Sequence, residues 1–218
     1  MCHTEALWLS LRVALILLPL YLLLGVPLAW ALARGRFPLR GLADALVTLP
    51  LVFPPIAIGF FLLLLLGRRG PLGGWLEQTL GVELVFSFGG VLVAGFVAGL
   101  PLLVKPVQAA MEGGTRELIE AAYTLGKGPF ATLFLVVLPT VRASVAGGLA
   151  LAIGRALGEV GITLMLGGNI IGRTDTLSLA IYNSVLDGDF GCASRLATLL
   201  GAVSLLLFLL LRRAGTLR

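Results

Sequence analysis

Charge is scarce in this chain: only 12% of its 218 residues are Asp, Glu, Lys or Arg. A soluble domain carries about twice that share. With 58% hydrophobic residues and a mean hydropathy of +1.04, a water-soluble fold is excluded. Histidine is nearly absent, since His3 is the single example and sits in the N-terminal tail. Cys2 and Cys192 are the only cysteines and lie far apart. No C-x-x-C or zinc-type spacing occurs, so they point to ordinary packing rather than a disulfide framework or a metal site. Without a cluster of His, Cys or carboxylates there is no seat for an enzyme's chemistry. A nucleotide-binding P-loop is missing too. Lys127 follows Gly126, but Ala121 stands where G-x-x-x-x-G-K needs glycine, and Gly128 replaces the Ser or Thr. No ATP, metal or other cofactor is expected on this chain itself.

What the chain has in abundance is apolar blocks, each approaching the ~20 residues that cross a bilayer as a helix. Strict alternation, the mark of a transmembrane barrel, does not occur. Helices satisfy their own backbone polar groups, as lipid requires. The expectation is an all-α integral membrane protein, a single domain over 1–218, with about five spans. The first runs from about Val13 to Ala33, with Gly25 and Pro27 as kink points. The second covers about Leu42 to Leu66, and Pro50, Pro54 and Pro55 should break or bend it. A glycine-containing loop with an apolar patch follows from Gly67 to Phe88. The third span, about Gly89 to Val107, is interrupted by Pro101 and Pro106. The fourth covers about Val141 to Leu164, a polar, turn-rich stretch runs from Gly167 to Asp189, and the last span is about Leu196 to Leu211.

The net charge of +5 invites a nucleic-acid partner, but much of the basic charge lies beside apolar spans, where it sets orientation instead. No nucleic acid is expected to bind. If the turn from Arg34 to Arg40 is cytoplasmic, ten basic residues fall inside: Arg34, Arg36, Arg40, Lys105, Arg116, Lys127, Arg142, Arg212, Arg213 and Arg218. Five fall outside: Arg12, Arg68, Arg69, Arg173 and Arg195. The bias puts the N-terminus outside and the C-terminus inside.

Between the third and fourth spans, at about 109–138, lies a stretch patterned to sit outside the membrane. Thr115 can cap a helix whose apolar face is Leu118, Ala121, Ala122 and Leu125. Gly126 suits the left-handed position that ends a helix, and Pro129 suits the first turn of the next. Leu138-Pro139 marks a further break. Small side chains at Ala121 and Ala122 keep such a helix thin enough for a partner's groove.

Glu120-Ala121-Ala122, Gly126, Val136, Leu138 and Pro139 form the pattern E-A-A-x3-G-x9-[IV]-x-L-P. It resembles the cytoplasmic loop by which membrane subunits of ABC importers dock on their ATPases. Three further segments carry a narrower resemblance: Leu49 to Phe60, Gly67 to Gly73, and Arg155 to Tyr182. Together they resemble permeases of the molybdate-type branch of oxyanion importers over nearly the whole chain; Glu159 to Gly161 and Gly167 to Ile170 also look like tungstate permeases.

The resemblance implies a type I, MetI-like permease fold in a bacterial or archaeal cytoplasmic membrane. It further implies a homodimer with a second permease copy, two ATPase subunits that hold ATP and Mg, and an extracytoplasmic oxyanion-binding protein. Glu120 and its neighbours would then contact the ATPase. A sulfate permease of the same architecture stays open, as does a secondary transporter, although Glu159 is the only deep acid such a machine could use.

Four residues stand out as pathway or gate candidates. Arg155 and Glu159 are four apart within an apolar span, either a structural ion pair or a gate. Asn169 and Thr174, with Thr176 and Ser178, offer neutral donors to an oxyanion near Arg68, Arg69 and Arg173 on the expected outer face. Gly95-x3-Gly99 and Gly154-x3-Gly158 allow close helix contact, including between subunits.

Overall fold

A computed structural model describes residues 4–35 and 38–216. Cys2, His3, Arg36 and Arg218 lie outside the described residues. Helices account for all the regular structure among the described residues. Helix α1 (Thr4–Leu20) runs through a π-helical turn (Tyr21–Gly25) into α2 (Val26–Arg34). These three form one apolar span, Glu5–Arg34, starting earlier than the sequence suggested. After a short turn come α3 (Arg40–Val52), α4 (Pro55–Leu66) and α5 (Pro71–Leu80). Then follow the long α6 (Phe88–Gly114), the short α7 (Arg116–Thr124) and α8 (Pro129–Thr132). A second π turn (Leu133–Val137) leads into α9 (Leu138–Leu157). Helices α10 (Gly161–Gly167), α11 (Leu177–Leu186) and α12 (Phe190–Thr216) complete the chain.

Four stretches are long and apolar enough to cross a bilayer: Glu5–Arg34, Phe88–Gly114, Pro129–Leu157 and Phe190–Arg213. The pair α4 and α5, bent by 46°, makes a fifth when taken as one span. A break does fall at Phe53-Pro54, between α3 and α4, and Pro55 opens α4. Pro50, however, sits inside α3 without breaking it, and the bent span is α4 with α5 rather than about Leu42 to Leu66. Other expectations need correction. The Gly67–Phe88 stretch is not only loop: Pro71 at the first turn and left-handed Gly81 at the end delimit α5. The turn-rich Gly167–Asp189 segment contains α11, capped by the Thr176 hydroxyl. Pro101 and Pro106 do not interrupt α6, which packs on α9, α2 and α10 and continues past both.

Both π turns lie directly before an X-Pro pair, Val26-Pro27 and Leu138-Pro139. A proline ring collides with the carbonyl four residues back. The wider π turn moves that carbonyl aside, and the N–H groups of Val26 and Leu138 bond five residues back, to Tyr21 and Leu133. The kink expected at Gly25 and Pro27 takes this form, and so does the expected break at Leu138-Pro139.

Helix α6 is the central element. Leu17, Tyr21, Leu103, Val104, Val137, Leu149 and Ile153 pack in one core along it. Tyr21 donates a hydrogen bond to the Gly95 carbonyl (2.7 Å) and stacks on Phe96, ring centres 5.2 Å apart. The Gly95-Gly99 pair therefore serves contacts inside the subunit. A Cβ on Gly99 would lie 2.2 Å from the Tyr21 hydroxyl and 2.4 Å from the Ala152 carbonyl oxygen. Gly99→Ala is expected to cost about 1–3 kcal/mol by overpacking. In detergent its melting midpoint should fall well below that of Gly147→Ala, where a Cβ meets nothing within 4 Å. A second cluster of Ala6, Leu177, Ala180, Cys192 and Leu196 ties α1, α11 and α12 together. Cys192 is disulfide-bonded, against the expectation of an ordinary packing side chain.

Candidate functional site

Helix α7 is attached to the bundle by one face only. Ala122 is 5% exposed, and Ile119 and Tyr123 are half-buried beside it. Leu118, Ala121 and Leu125 face out, Leu125 being 79% exposed, and so does Glu120. The apolar face expected from spacing is thus divided: Ala122 seats the helix, and the other three form a free apolar strip. Inward contacts run to α6 and to the π turn over Leu133–Val137.

The ends of α7 are built differently from one another. At the start, Thr115 is buried but does not cap α7 as expected; its hydroxyl donates to the Met111 carbonyl (2.6 Å), closing the end of α6 instead. At the finish, Gly126 has φ +75°. Its N–H donates to the Tyr123 carbonyl and that of Lys127 to the Ala122 carbonyl, each at 3.0 Å. This pair of bonds is a Schellman turn, which needs a residue free to adopt the left-handed region. Pro129 then opens α8 as expected. Leu138 is half-buried and Pro139 exposed, both in the first turn of α9. The residues from Glu120 to Pro139 therefore make one helix–turn–helix unit, with α7 packed on the π turn just ahead of Leu138.

The other candidates sit elsewhere. Glu159 is not in a span helix with Arg155, as expected, but in the break after α9, where Gly158 and Val160 separate α9 from α10. It is 1% exposed. One carboxylate oxygen accepts from the Ile162 N–H (2.8 Å), and the other pairs with Arg155 (2.5 Å). The fourth span accordingly covers Pro129–Leu157 rather than about Val141 to Leu164, because the buried carboxylate restarts the helix at Gly161.

Asn169 and Thr174 belong to a knitted corner near the first residues of α1. The Asn169 and Asn183 amides bond each other reciprocally at 2.7 and 3.0 Å. The Thr174 hydroxyl donates to the Gly167 carbonyl and accepts from the Ile170 N–H, both at 2.8 Å. Ser178 donates to the Leu157 carbonyl, and Ser10 accepts from the Leu177 N–H at 2.8 Å. These hydroxyls and amides are thus engaged within the chain. Arg68, Arg69 and Arg173 do come together, lining a recess of about 730 Å³, but Glu77 and Glu83 line it as well. Arg68 pairs with both glutamates.

Ion pairs that no motif announced join α3 to α6: Lys105 with Asp44 (2.6 Å) and Arg40 with Glu112 (2.9 Å). Among the described residues, no group of three or more His, Cys, Asp or Glu could hold a metal.

A family model described as "Binding-protein-dependent transport system inner membrane component" matches residues 22–215. The molybdenum transport system permease protein ModB of Azotobacter vinelandii is 40% identical over 207 residues, covering 94% of this chain and 90% of that protein. The sulfate transport system permease protein CysW of Escherichia coli K12 is 33% identical over 208 residues, covering 93% and 70%. Among solved structures, a bacterial ABC transporter involved in the import of the acidic polysaccharide alginate matches 97% of this chain and 79% of its own, with a TM-score of 0.70 at 19% identity. That likeness speaks to the fold alone.

Proposed function

The chain belongs to the binding-protein-dependent transport system inner-membrane components, and on that premise we propose that it forms the pathway of an ATP-driven importer for molybdate or tungstate. It is a multi-pass inner-membrane transport subunit and not an enzyme. Two copies would enclose the path, and two ATPase subunits would hold ATP and Mg. An external oxyanion-binding protein would deliver cargo. Closure of the ATPases would move α7, and with it the spans, so that the path alternates between outward and inward access.

The observation that carries this proposal is the free strip of Leu118, Ala121 and Leu125 on a helix anchored by the adjoining face of Ile119, Ala122 and Tyr123. A strip of that kind suits the helix-in-groove mode, with the ATPase supplying the groove. The alternative for such a strip is lipid headgroups. A rigid Schellman turn and a direct run into a span favour a partner that pushes. The N-out, C-in orientation rests on the basic-residue bias.

Similarity to the molybdenum permease supports the cargo, and similarity to the sulfate permease keeps sulfate as the alternative. Proteoliposomes containing the permease, its ATPase and its receptor should take up molybdate in a vanadate-sensitive manner. Excess tungstate should compete, and excess sulfate should compete at least about tenfold more weakly, a difference of about 1.4 kcal/mol. Preferential uptake of sulfate would transfer the chain to the alternative.

A further inference from the structure

The last residue of α2 reaches across to α7. The Arg34 guanidinium carbon lies 5.2 Å from the centre of the Trp30 ring and 5.5 Å from that of Tyr123. Trp30 is one turn back on the same helix and is buried, so it fixes where the arginine can point. Tyr123 is in the last turn of α7, directly before the Schellman turn. Arg34 is thus a strut between the inner end of the first span and the one-sided helix. A recess of about 370 Å³ lies around it, with Met111, Glu112, Ile119 and Glu120 also on its walls. The strut therefore crosses open space beside the packed α6–α7 contact.

What lies beyond the strut gives it a use. Helix α2 is only nine residues long and is separated from α1 by the π turn at Tyr21–Gly25. A π turn is a local weak point in a helix's bonding pattern, where bending concentrates. The other inner route from α7, through α8 into α9, crosses the second π turn at Leu133–Val137. Of the spans that meet α7, the first and the fourth thus have a yielding joint a short way into the membrane, whereas α6 runs on without one.

We propose that Arg34 is a positioning residue for coupling: through Tyr123 it passes displacement of α7 into α2, which swings at the Tyr21–Gly25 joint. The proposal rests on α7 being the docking helix. An arginine is suited to the task because its planar guanidinium stacks on both rings, whereas a lysine ammonium is a hydrated point charge.

The test measures cargo accumulated per ATP hydrolysed by the full complex in proteoliposomes, using molybdate as the probe. Arg34→Lys keeps the charge and loses the stacking; Tyr123→Leu removes the ring. Both should lower the ratio about fivefold, with the ATPase still co-purifying in normal amount. Tyr123→Phe should restore the ratio to within about twofold, because it keeps the ring. The hydroxyl it deletes is buried without a hydrogen-bond partner among the described residues. The proposal is overturned if Arg34→Lys and Tyr123→Leu both keep the wild-type ratio, or if Tyr123→Phe is as damaged as Tyr123→Leu. Loss of the ATPase from the Arg34→Lys complex overturns it as well, since the residue would then serve assembly. Gly126→Pro separates the two ideas. If it uncouples transport and Arg34→Lys does not, only the strut fails; if it leaves transport normal, the docking of α7 fails.

Discussion

Gly126→Pro is expected to insert into the membrane normally and to abolish nearly all cargo uptake. Proline holds φ near −65°, while Gly126 sits at +75°, so the substituted chain cannot make this turn. The same change deletes the N–H that bonds the Tyr123 carbonyl. A cost of about 3 kcal/mol is reasonable for a proline in so unsuitable a place. It falls on a nine-residue helix with one buried face, and 3 kcal/mol shifts a local equilibrium by roughly a hundredfold. Membrane insertion depends on the spans, which the substitution leaves alone. A graded series makes the cause visible: Gly126→Asn should stay nearest to wild type, since Asn tolerates the left-handed region, and Gly126→Ala should fall between. Uptake rate, with protease protection as the check on insertion, is the measurement. Equal uptake by Ala, Asn and Pro variants would mean that the turn does not matter.

Glu159→Ala is the second large effect. The carboxylate is buried, pairs with Arg155 and accepts from the Ile162 N–H that opens α10. Removing one partner of a buried pair costs about 3–5 kcal/mol, because the other charge is left uncompensated. The Arg155 side chain is about one third exposed, which places the expected loss at the lower end. Glu159→Gln keeps an oxygen for Ile162 and gives up only the charge, so it should lose less. Thermal unfolding in detergent ranks the three proteins. Uptake by Glu159→Gln then separates packing from gating: a well-folded variant that fails to transport supports a gate, and normal transport reduces the pair to packing.

Much of this arrangement was legible from residue type and spacing. The apolar blocks, the prolines at Pro54 and Pro55, and the Gly126-x2-Pro129 turn each state a local requirement that the fold obeys. Less legible was anything decided by a distant neighbour. Pro101 and Pro106 read as interruptions, yet α6 continues because α9 and α2 pack along it. Thr115 has the composition of a cap but bonds backward to Met111. Ala122 matches Ala121 in type, and only the contact with the bundle decides that one faces in and the other out. Glu159 looked like part of a helical pair, whereas burial made it the start of a new helix. The Arg34 strut had one local signal, the four-residue spacing from Trp30; its other half, Tyr123, is remote in sequence.

The docking of α7 is tested most directly by a photocrosslinker placed at Ala121, in the centre of the free strip, within the assembled complex in native membranes. Capture of the ATPase subunit is expected, with a yield that changes when ATP is trapped by vanadate. The same crosslinker at Trp75 on α5, an exposed side chain on the expected outer side, should never capture the ATPase. If Ala121 yields only lipid adducts or the external receptor while Trp75 captures the ATPase, the helix does not dock as described and the orientation is reversed.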